Sequence, residues 1–201
     1  MAGPAATGPD AHDAEAAERV ADAMRAVPRE RFLPREIAGH AREDRALPLW
    51  HGQTGSQPST VAAMLRLLDV PVGARVLDVG AGSGWTTALL AHLTGPTGAV
   101  LGLELDESLA AWGAANVDAT GCTWAVVEPA DPGALGRPTV GGWDRILVSA
   151  SAHELPDALV AQLADGGRLV VPVRTTMHLV VRRGAGRVVS THGEYVFVPL
   201  R

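Results

Sequence analysis

A glycine-rich turn between an apolar run and a helical pattern is the feature that most constrains this 201-residue chain. The segment reads VLDVGAGSGW over residues 76–85, and its glycines are Gly80, Gly82 and Gly84. Glycine adopts backbone angles that other residues rarely reach, and it lets a ligand approach the main chain closely. Because a strand pattern precedes the turn and a helix follows it, the segment predicts a nucleotide-type loop at the carboxyl edge of a parallel sheet.

Short apolar runs alternate with helical patterns along the rest of the chain, as in α/β proteins. We predict strands at 74–80, 99–105, 123–127, 145–150 and 168–173, and helices near 84–93, 107–117 and 156–164. The tail segments MHLVVRR, RVVS and EYVFVPL have no helix between them and predict antiparallel strands. The expected fold is an α/β, Rossmann-like doubly wound mixed sheet of about seven strands, mostly parallel, with antiparallel C-terminal strands and helices on both faces.

Two helices are predicted before the sheet. Apolar residues at helical spacing mark one helix that runs from about Ala14 to Pro28 and a second whose first turn contains Pro58. The region between them, 29–57, is irregular and long, as functional segments often are. We therefore expect a flexible N-terminus over 1–13 and a single domain over 14–201, divided into a helical substrate segment, 14–73, and a Rossmann-like core, 74–201.

The composition excludes several classes of function. Lys and Arg number 17 against 22 Asp and Glu, and no basic run is present, so we expect no nucleic-acid partner. A single cysteine, Cys122, excludes an internal disulfide, and the histidines lack metal-ligand spacing, so no metal is expected. No apolar stretch reaches the ~18 residues of a membrane span, and no leader pattern is visible. These features predict a cytoplasmic monomer with no membrane partner.

The spacing of the loop glycines discriminates between cofactors. A dinucleotide site requires GxGxxG, and Trp85 occupies the place of the third glycine, which argues against a nicotinamide oxidoreductase. The observed GxGxG spacing, preceded by Asp78, resembles the loop of S-adenosylmethionine-dependent methyltransferases. Glu104 ends the next predicted strand, where a carboxylate can accept hydrogen bonds from both ribose hydroxyls of an adenosine or, alternatively, cap the following helix.

Segments outside the loop resemble protein-L-isoaspartate O-methyltransferases. The family's segment reads approximately ALPIxxGQTISQPxxVAxM, and ALPL, GQT, SQP and VAAM follow one another in residues 46–64. The similarity extends to VPRERFLP at 27–34, SASAHELPDALVAQLADGGRLVVPV and EYVFVPL, so it covers nearly the whole chain after residue 20. It implies S-adenosyl-L-methionine as cofactor, S-adenosyl-L-homocysteine as product, and methylation of the α-carboxylate of L-isoaspartyl residues in peptides or proteins, a repair reaction that proceeds through a succinimide.

The resemblance also implies roles for individual residues. Ser56 is the catalytic residue that holds the carboxylate near the sulfonium, and it lies with Gln57 at a predicted helix start, where anions are favoured. Capping of that helix is the structural alternative for Ser56. The implied cofactor-binding residues are Gln53, Thr54, Ser56, Asp78, Gly80, Ala81, Gly82, Ser83, Gly84, Glu104, Leu105 and Glu128. The implied substrate-binding residues are Leu49, Thr54, Gly55, Ser56, Gln57 and Val198.

Three departures from the family pattern leave the substrate open. Gly55 replaces the isoleucine of the TIS triplet, and Ser59 stands where an aromatic residue or histidine is usual. The segment 128–131 reads EPAD where the family has GDG, whose aspartate contacts the adenine, so Glu128 or Asp131 is the candidate replacement. Two alternatives therefore remain: a specialised homologue that methylates an aspartate of one biosynthetic peptide or a small carboxylic acid, and a protein that binds S-adenosylmethionine without turnover.

Overall fold

The computed structural model describes residues 9–201, which begin with helix α1 (Pro9–Ala26). The helix starts before the expected position near Ala14, so residues 9–13 of the predicted flexible N-terminus are helical, and residues 1–8 lie outside the described part. Helix α1 as a whole contains seven alanines, and alanine has the highest helix propensity. Pro9 is the first helical residue, where a missing N–H costs little.

The segment between the first two helices is irregular, as predicted. It contains 3-10 turns at Arg29–Phe32, Ala38–His40 and Trp50–Gly52. Two-residue strands β1 (Leu47–Pro48) and β2 (Thr54–Gly55) pair antiparallel on either side of the last turn and form a small ribbon. Helix α2 (Pro58–Leu68) follows with its proline in the first turn, as expected, and packs against α1.

A seven-stranded mixed sheet forms the centre of the molecule. Its strands are β3 (Arg75–Val79), β4 (Ala99–Glu104), β5 (Ala125–Pro129), β6 (Trp143–Val148), β7 (Leu163–Val173), β8 (Thr176–Arg183) and β9 (Gly186–Glu194). The spatial order is β5-β4-β3-β6-β7-β8-β9, parallel from β5 to β7 and antiparallel from β7 to β9. The predicted Rossmann-like mixed sheet is confirmed.

Helices cover both faces of this sheet. They are α3 (Trp85–Thr94), α4 (Glu107–Asp118) and α5 (Asp157–Val160), in addition to α1 and α2. Neighbouring residues of one strand point to opposite faces. Val76 thus belongs to the buried cluster shared with α1, α2, α3 and α4, whereas Leu77 belongs to the cluster shared with α5.

Two predicted elements differ from the structure. The helix predicted at 156–164 is a single turn, α5, because Leu163 already pairs with Trp143 at the start of β7. The segment EYVFVPL is not an antiparallel strand, since β9 ends at Glu194 and Pro199 has no N–H to donate to a ladder. Instead, the chain crosses to the carboxyl edge of β6, where Ser151 donates to the carbonyl of Val198 at 2.8 Å.

Candidate active site

The glycine loop leaves β3 where the strand order reverses, between β4 and β6. The φ angles of Gly80, Gly82 and Gly84 are +80°, +55° and +84°, a region in which a residue with a side chain is strained. Gly84 also allows a close approach, because a Cβ there would lie 2.7 Å from the carbonyl oxygen of Gly113 in α4. The loop therefore turns directly into α3 and borders the crevice in which ligands of such sheets bind.

A cleft of about 670 Å³ opens beside the loop. This volume lies within the ~300–1,000 Å³ typical of small-molecule sites. Gly80, Gly82 and Glu104 line it at the carboxyl edges of β3 and β4, and residues 130–136 line it from the loop after β5. The cleft therefore lies where the sequence predicts a nucleoside cofactor.

Glu104 provides a buried carboxylate at this cleft and is 8% exposed. Its Oε2 atom accepts the N–H of Gly82 at 2.9 Å, and its Oε1 atom accepts the N–H of Asp106 at 3.1 Å. Each carboxylate oxygen has a further lone pair, which leaves capacity for two ribose hydroxyls. The side chain that caps α4 is that of Asp106, which accepts the N–H of Leu109 at 2.9 Å. Glu104 is therefore not the residue that caps α4.

Asp78 lies beneath the loop and does not line the cleft. Its carboxylate is fully buried, and Oδ2 accepts the hydroxyls of Thr86 and Thr87 at 2.7 Å each. Its Oδ1 atom has no hydrogen-bond partner among the described residues. Burial raises the pKa of Asp78 to about 6, the two hydroxyls oppose this rise, and the charge of Glu104 adds to it. The geometry thus gives Asp78 an anchoring contact with α3 in place of the direct cofactor contact implied by the resemblance.

The acid that lines the cleft after β5 is Asp131, and Glu128 lies outside the lining. The Glu128 carboxylate accepts a hydrogen bond from Arg137 at 2.9 Å, which holds it as a half-exposed ion pair. Asp131 stands in a turn in which its Oδ1 atom accepts the N–H of Gly133 at 2.8 Å. Of the two candidates for the adenine contact, the structure therefore favours Asp131 over Glu128.

A second groove, of about 640 Å³, meets the cofactor cleft. Thr54, Ser149 and Val198 line both spaces and so mark the junction between them. Ser56 and Gln57 of the N-terminal segment line the second groove, and so do residues 195–198, which follow β9. A methyl donor in the cleft and an acceptor in the groove would meet at this junction.

The start of α2 differs from the expectation. Gln57 precedes the first helical residue and makes no side-chain capping bond, which leaves Ser56 outside the cap. Asp44 occupies the helix terminus instead: Oδ1 accepts the N–H of Ser59 at 2.9 Å, and Oδ2 accepts the amide of Gln57 at 3.1 Å. The bond from Ser59 lowers the pKa of Asp44. The negative charge of Asp44 thus lies at the helix end where a substrate carboxylate was expected.

Most of the other predicted residues line the cleft or a smaller cavity. Gln53, Thr54 and Leu105 line the cleft. Leu49, Gly55, Ser56, Ala81 and Ser83 line a cavity of about 40 Å³ below the loop. Gly84 supports the loop through its contact with α4.

Ser149 and His51 are among the residues at the site that are missing from the sequence prediction. Ser149 follows β6, and the rule that ligands bind at carboxyl ends of strands provides a signal for it. His51 lies in the turn between β1 and β2, has a left-handed φ of 54°, and lines the cleft. No local sequence pattern identifies it, because its position depends on a contact with Asp106, 55 residues away in the chain.

Comparison of this chain with known proteins identifies methyltransferases that are similar to it. The sequence model of the family described as protein-L-isoaspartate(D-aspartate) O-methyltransferase matches residues 10–201. A relative from Aeropyrum pernix is 44% identical over 187 residues, which cover 90% of this chain and 72% of the relative. A relative from Methanothrix thermoacetophila is 41% identical over 185 residues, which cover 91% of this chain and 88% of the relative. Both relatives are named protein-L-isoaspartate O-methyltransferase.

Two solved structures share the fold. One, a protein-L-isoaspartate O-methyltransferase, superposes with a TM-score of 0.82 at 26% identity and covers 94% of this chain, which spans 62% of that protein's length. The other, a protein-L-isoaspartate O-methyltransferase from Plasmodium falciparum in complex with S-adenosyl-L-homocysteine, has a TM-score of 0.76 at 26% identity. That match covers 92% of this chain and 90% of the other.

Proposed function

The chain belongs to the protein-L-isoaspartate O-methyltransferase family, and on that premise we propose that it methylates the α-carboxylate of L-isoaspartyl residues in proteins and peptides. The methyl donor is S-adenosylmethionine. The observation that carries the proposal is the junction at Thr54, Ser149 and Val198, where a cleft of cofactor size opens onto a second groove.

The residues of the cleft fit S-adenosylmethionine. The positive-φ glycines allow close approach of the ligand to the loop, and Glu104 retains acceptor capacity for the ribose hydroxyls. We assign the contact with the exocyclic amine of adenine to Asp131, whose carboxylate can accept an N–H. When bound, the cofactor supplies an electrophilic methyl group on a sulfonium.

The chain's own task in the reaction is alignment. A substrate α-carboxylate, with an ordinary pKa near ~3.5, is ionised at neutral pH, so the site requires no general base. The Ser56 hydroxyl donates to one carboxylate oxygen and leaves the other directed towards the cleft. Ser149, which lines both the cleft and the groove, offers a second hydroxyl at the junction. Holding the reacting atoms in line is a large source of rate enhancement.

We also propose that the protein is a monomer and acts in the cytoplasm. The acidic composition and the single free cysteine, Cys122, are in keeping with this. Over the described residues, no helix combines the length and apolarity of a membrane span.

Methyl transfer to a matched pair of peptides tests the proposed function. One peptide contains a single L-isoaspartyl residue, and the control has the same sequence with normal aspartate. With radiolabelled S-adenosylmethionine, we expect base-labile label in the isoaspartyl peptide only. Equal labelling of both peptides, or of neither, would contradict the proposal.

A further inference from the structure

Arg29 is a buried cation that makes no ion pair within the described residues. Its side chain is 5% exposed, and its guanidinium donates to three backbone carbonyls. Nη1 donates to Glu43 at 3.3 Å, and Nη2 donates to Arg45 at 3.0 Å and to Gly55 at 2.9 Å. Buried charges are normally paired with an opposite charge. Here the guanidinium instead forms hydrogen bonds to the backbone of the segment that contains the proposed substrate residues.

The same guanidinium also contacts the element that follows the cofactor loop. Its central carbon lies 5.5 Å from the ring centroid of Trp85, within the range of a cation–π interaction. Trp85 is the first residue of α3, and its indole N–H donates to the carbonyl of Val27 at 3.0 Å. Arg29 therefore connects the N-terminal ribbon to the start of the helix that the glycine loop enters.

Through Gly55, the contacts of Arg29 reach the proposed substrate residue Ser56. A glycine has more backbone freedom than any other residue, and Gly55 directly precedes Ser56. The hydrogen bond from Arg29 to the Gly55 carbonyl restrains the peptide unit that leads into Ser56. Arg29, Gly55 and Ser56 also line the same small cavity, together with Gly82 of the cofactor loop.

We propose that Arg29 is the positioning residue for Ser56. By fixing the Gly55 carbonyl and stacking on Trp85, it holds the Ser56 hydroxyl at a set distance from the cofactor loop. The inference rests on the proposed function, because it assigns the alignment of the methyl acceptor to this contact. Arg29 does not line the cofactor cleft, so its effect falls on turnover and not on cofactor affinity.

Two substitutions separate the contribution of the charge of Arg29 from that of its hydrogen-bond geometry. Arg29→Lys keeps the charge but replaces the planar guanidinium fork with a single ammonium. Arg29→Gln removes the charge and keeps one amide donor. We expect kcat for an isoaspartyl peptide to fall about tenfold or more in both, with the Kd for S-adenosylhomocysteine, measured by calorimetry, changed by less than about threefold.

Arg145→Gln is the matched control. Arg145 is also a partly buried guanidinium that donates to carbonyls, those of Asp69 and Asp144 at 2.8 Å each, but it lies at the opposite end of the sheet, near the start of β6. Its replacement should lower thermal stability as Arg29→Gln does, yet leave kcat unchanged below the unfolding transition. This comparison separates loss of alignment from general destabilisation.

Gly55→Ala tests whether Arg29 acts through the backbone that precedes Ser56. If Arg29 only stabilised the fold, Gly55→Ala would not recover kcat in an Arg29 variant. A Cβ at position 55 would lie 3.5 Å from Cδ2 of Leu33 and 3.8 Å from Nη2 of Arg29, which are ordinary contacts. Alanine reduces backbone freedom at this position. Combined with Arg29→Lys, it should therefore restore part of the lost kcat, measured against the kcat of Gly55→Ala alone.

The inference is overturned if kcat of the Arg29 variants matches that of the unaltered protein, or if the loss is as large in Arg145→Gln. It is also overturned if Gly55→Ala gives no recovery in the Arg29→Lys background. Should Arg29→Gln not fold, the Arg29→Lys pair with and without Gly55→Ala decides the question. Failure of the unaltered protein to methylate isoaspartyl peptides would overturn the proposed function, and this inference with it.

Discussion

The Nδ1 atom of His51 lies 2.5 Å from the Oδ2 atom of Asp106, and both residues line the cofactor cleft. This contact joins the turn of the N-terminal ribbon to the cap of α4. The adjacent rings of Trp50 and Trp112 provide a second contact, with centroids 4.5 Å apart. The cleft is thus bordered on one side by a ribbon that two contacts attach to α4.

His51→Ala removes one contact and should accelerate dissociation of S-adenosylhomocysteine by about two- to fivefold, the size expected for a mostly exposed pair. Stopped-flow measurement of Trp fluorescence, to which Trp50 and Trp112 contribute, follows the release. His92→Ala is the control, because His92 forms a similar pair with Asp22 at 3.1 Å but does not line the cleft. Equal dissociation rates in both variants would contradict the prediction.

Glu104→Gln should weaken binding of S-adenosylhomocysteine by about 10- to 100-fold. The substitution keeps the shape of the side chain but replaces an ionised acceptor, whose hydrogen bonds contribute ~1.5–3 kcal/mol each, with a neutral amide. Isothermal calorimetry measures the change. Glu128→Gln alters an acid at the end of the neighbouring strand, where its partner is Arg137, and should leave the Kd unchanged. A similar loss in the two variants would argue against the ribose contact.

The parts of this fold that follow from local pattern were predictable from sequence, and the parts that follow from distant contacts were not. The strand–glycine–helix order at 76–94 and the apolar face of α2 are local, and both were predicted. The cap on α2 was missed because Asp44 reaches Ser59 across 15 residues of irregular chain. The contact from Arg29 to Gly55 spans 26 residues and leaves no periodic signal. Such long-range polar contacts determine most of the site beyond the loop.

Asp131→Asn tests which carboxylate accepts the hydrogen bond from the exocyclic amine of adenine. The exocyclic amine donates an N–H to a carboxylate acceptor, whereas hypoxanthine has a carbonyl oxygen at that position. The unaltered protein should therefore bind S-adenosylhomocysteine much more tightly than S-inosylhomocysteine, and Asp131→Asn should reduce this ratio by about tenfold. Glu128→Gln should preserve the ratio. If the ratio instead falls only in Glu128→Gln, the assignment of Asp131 is wrong.

Ser56→Ala should lower kcat for an isoaspartyl peptide about tenfold or more, because it removes a hydrogen bond to a charged carboxylate. Cofactor affinity should not change, since Ser56 lines the substrate groove and not the cofactor cleft. Steady-state kinetics and calorimetry with S-adenosylhomocysteine measure the two effects separately. Ser59→Ala, three residues along the same segment, is the control and should retain kcat. An unchanged kcat in Ser56→Ala would exclude the proposed alignment role.

The buried carboxylate of Asp78 should make stability depend on pH. Its pKa in the folded protein is raised to about 6, first by burial, from an ordinary value near 3.8. A raised folded pKa means that the stabilising contribution is complete below about pH 4 and is lost as the pH rises through 6. The difference between these pKa values corresponds to about 3 kcal/mol.

Asp78→Asn removes this titration and keeps an oxygen that can accept the hydroxyls of Thr86 and Thr87. The free energy of unfolding of the variant, relative to the unaltered protein, should therefore increase between pH 4 and pH 7. The change in this difference with pH is the informative quantity, because any cost of placing an amide at the unpartnered Oδ1 position is the same at every pH. Urea unfolding across this range measures it. Parallel pH profiles for the two proteins would show that folding does not raise the pKa of Asp78.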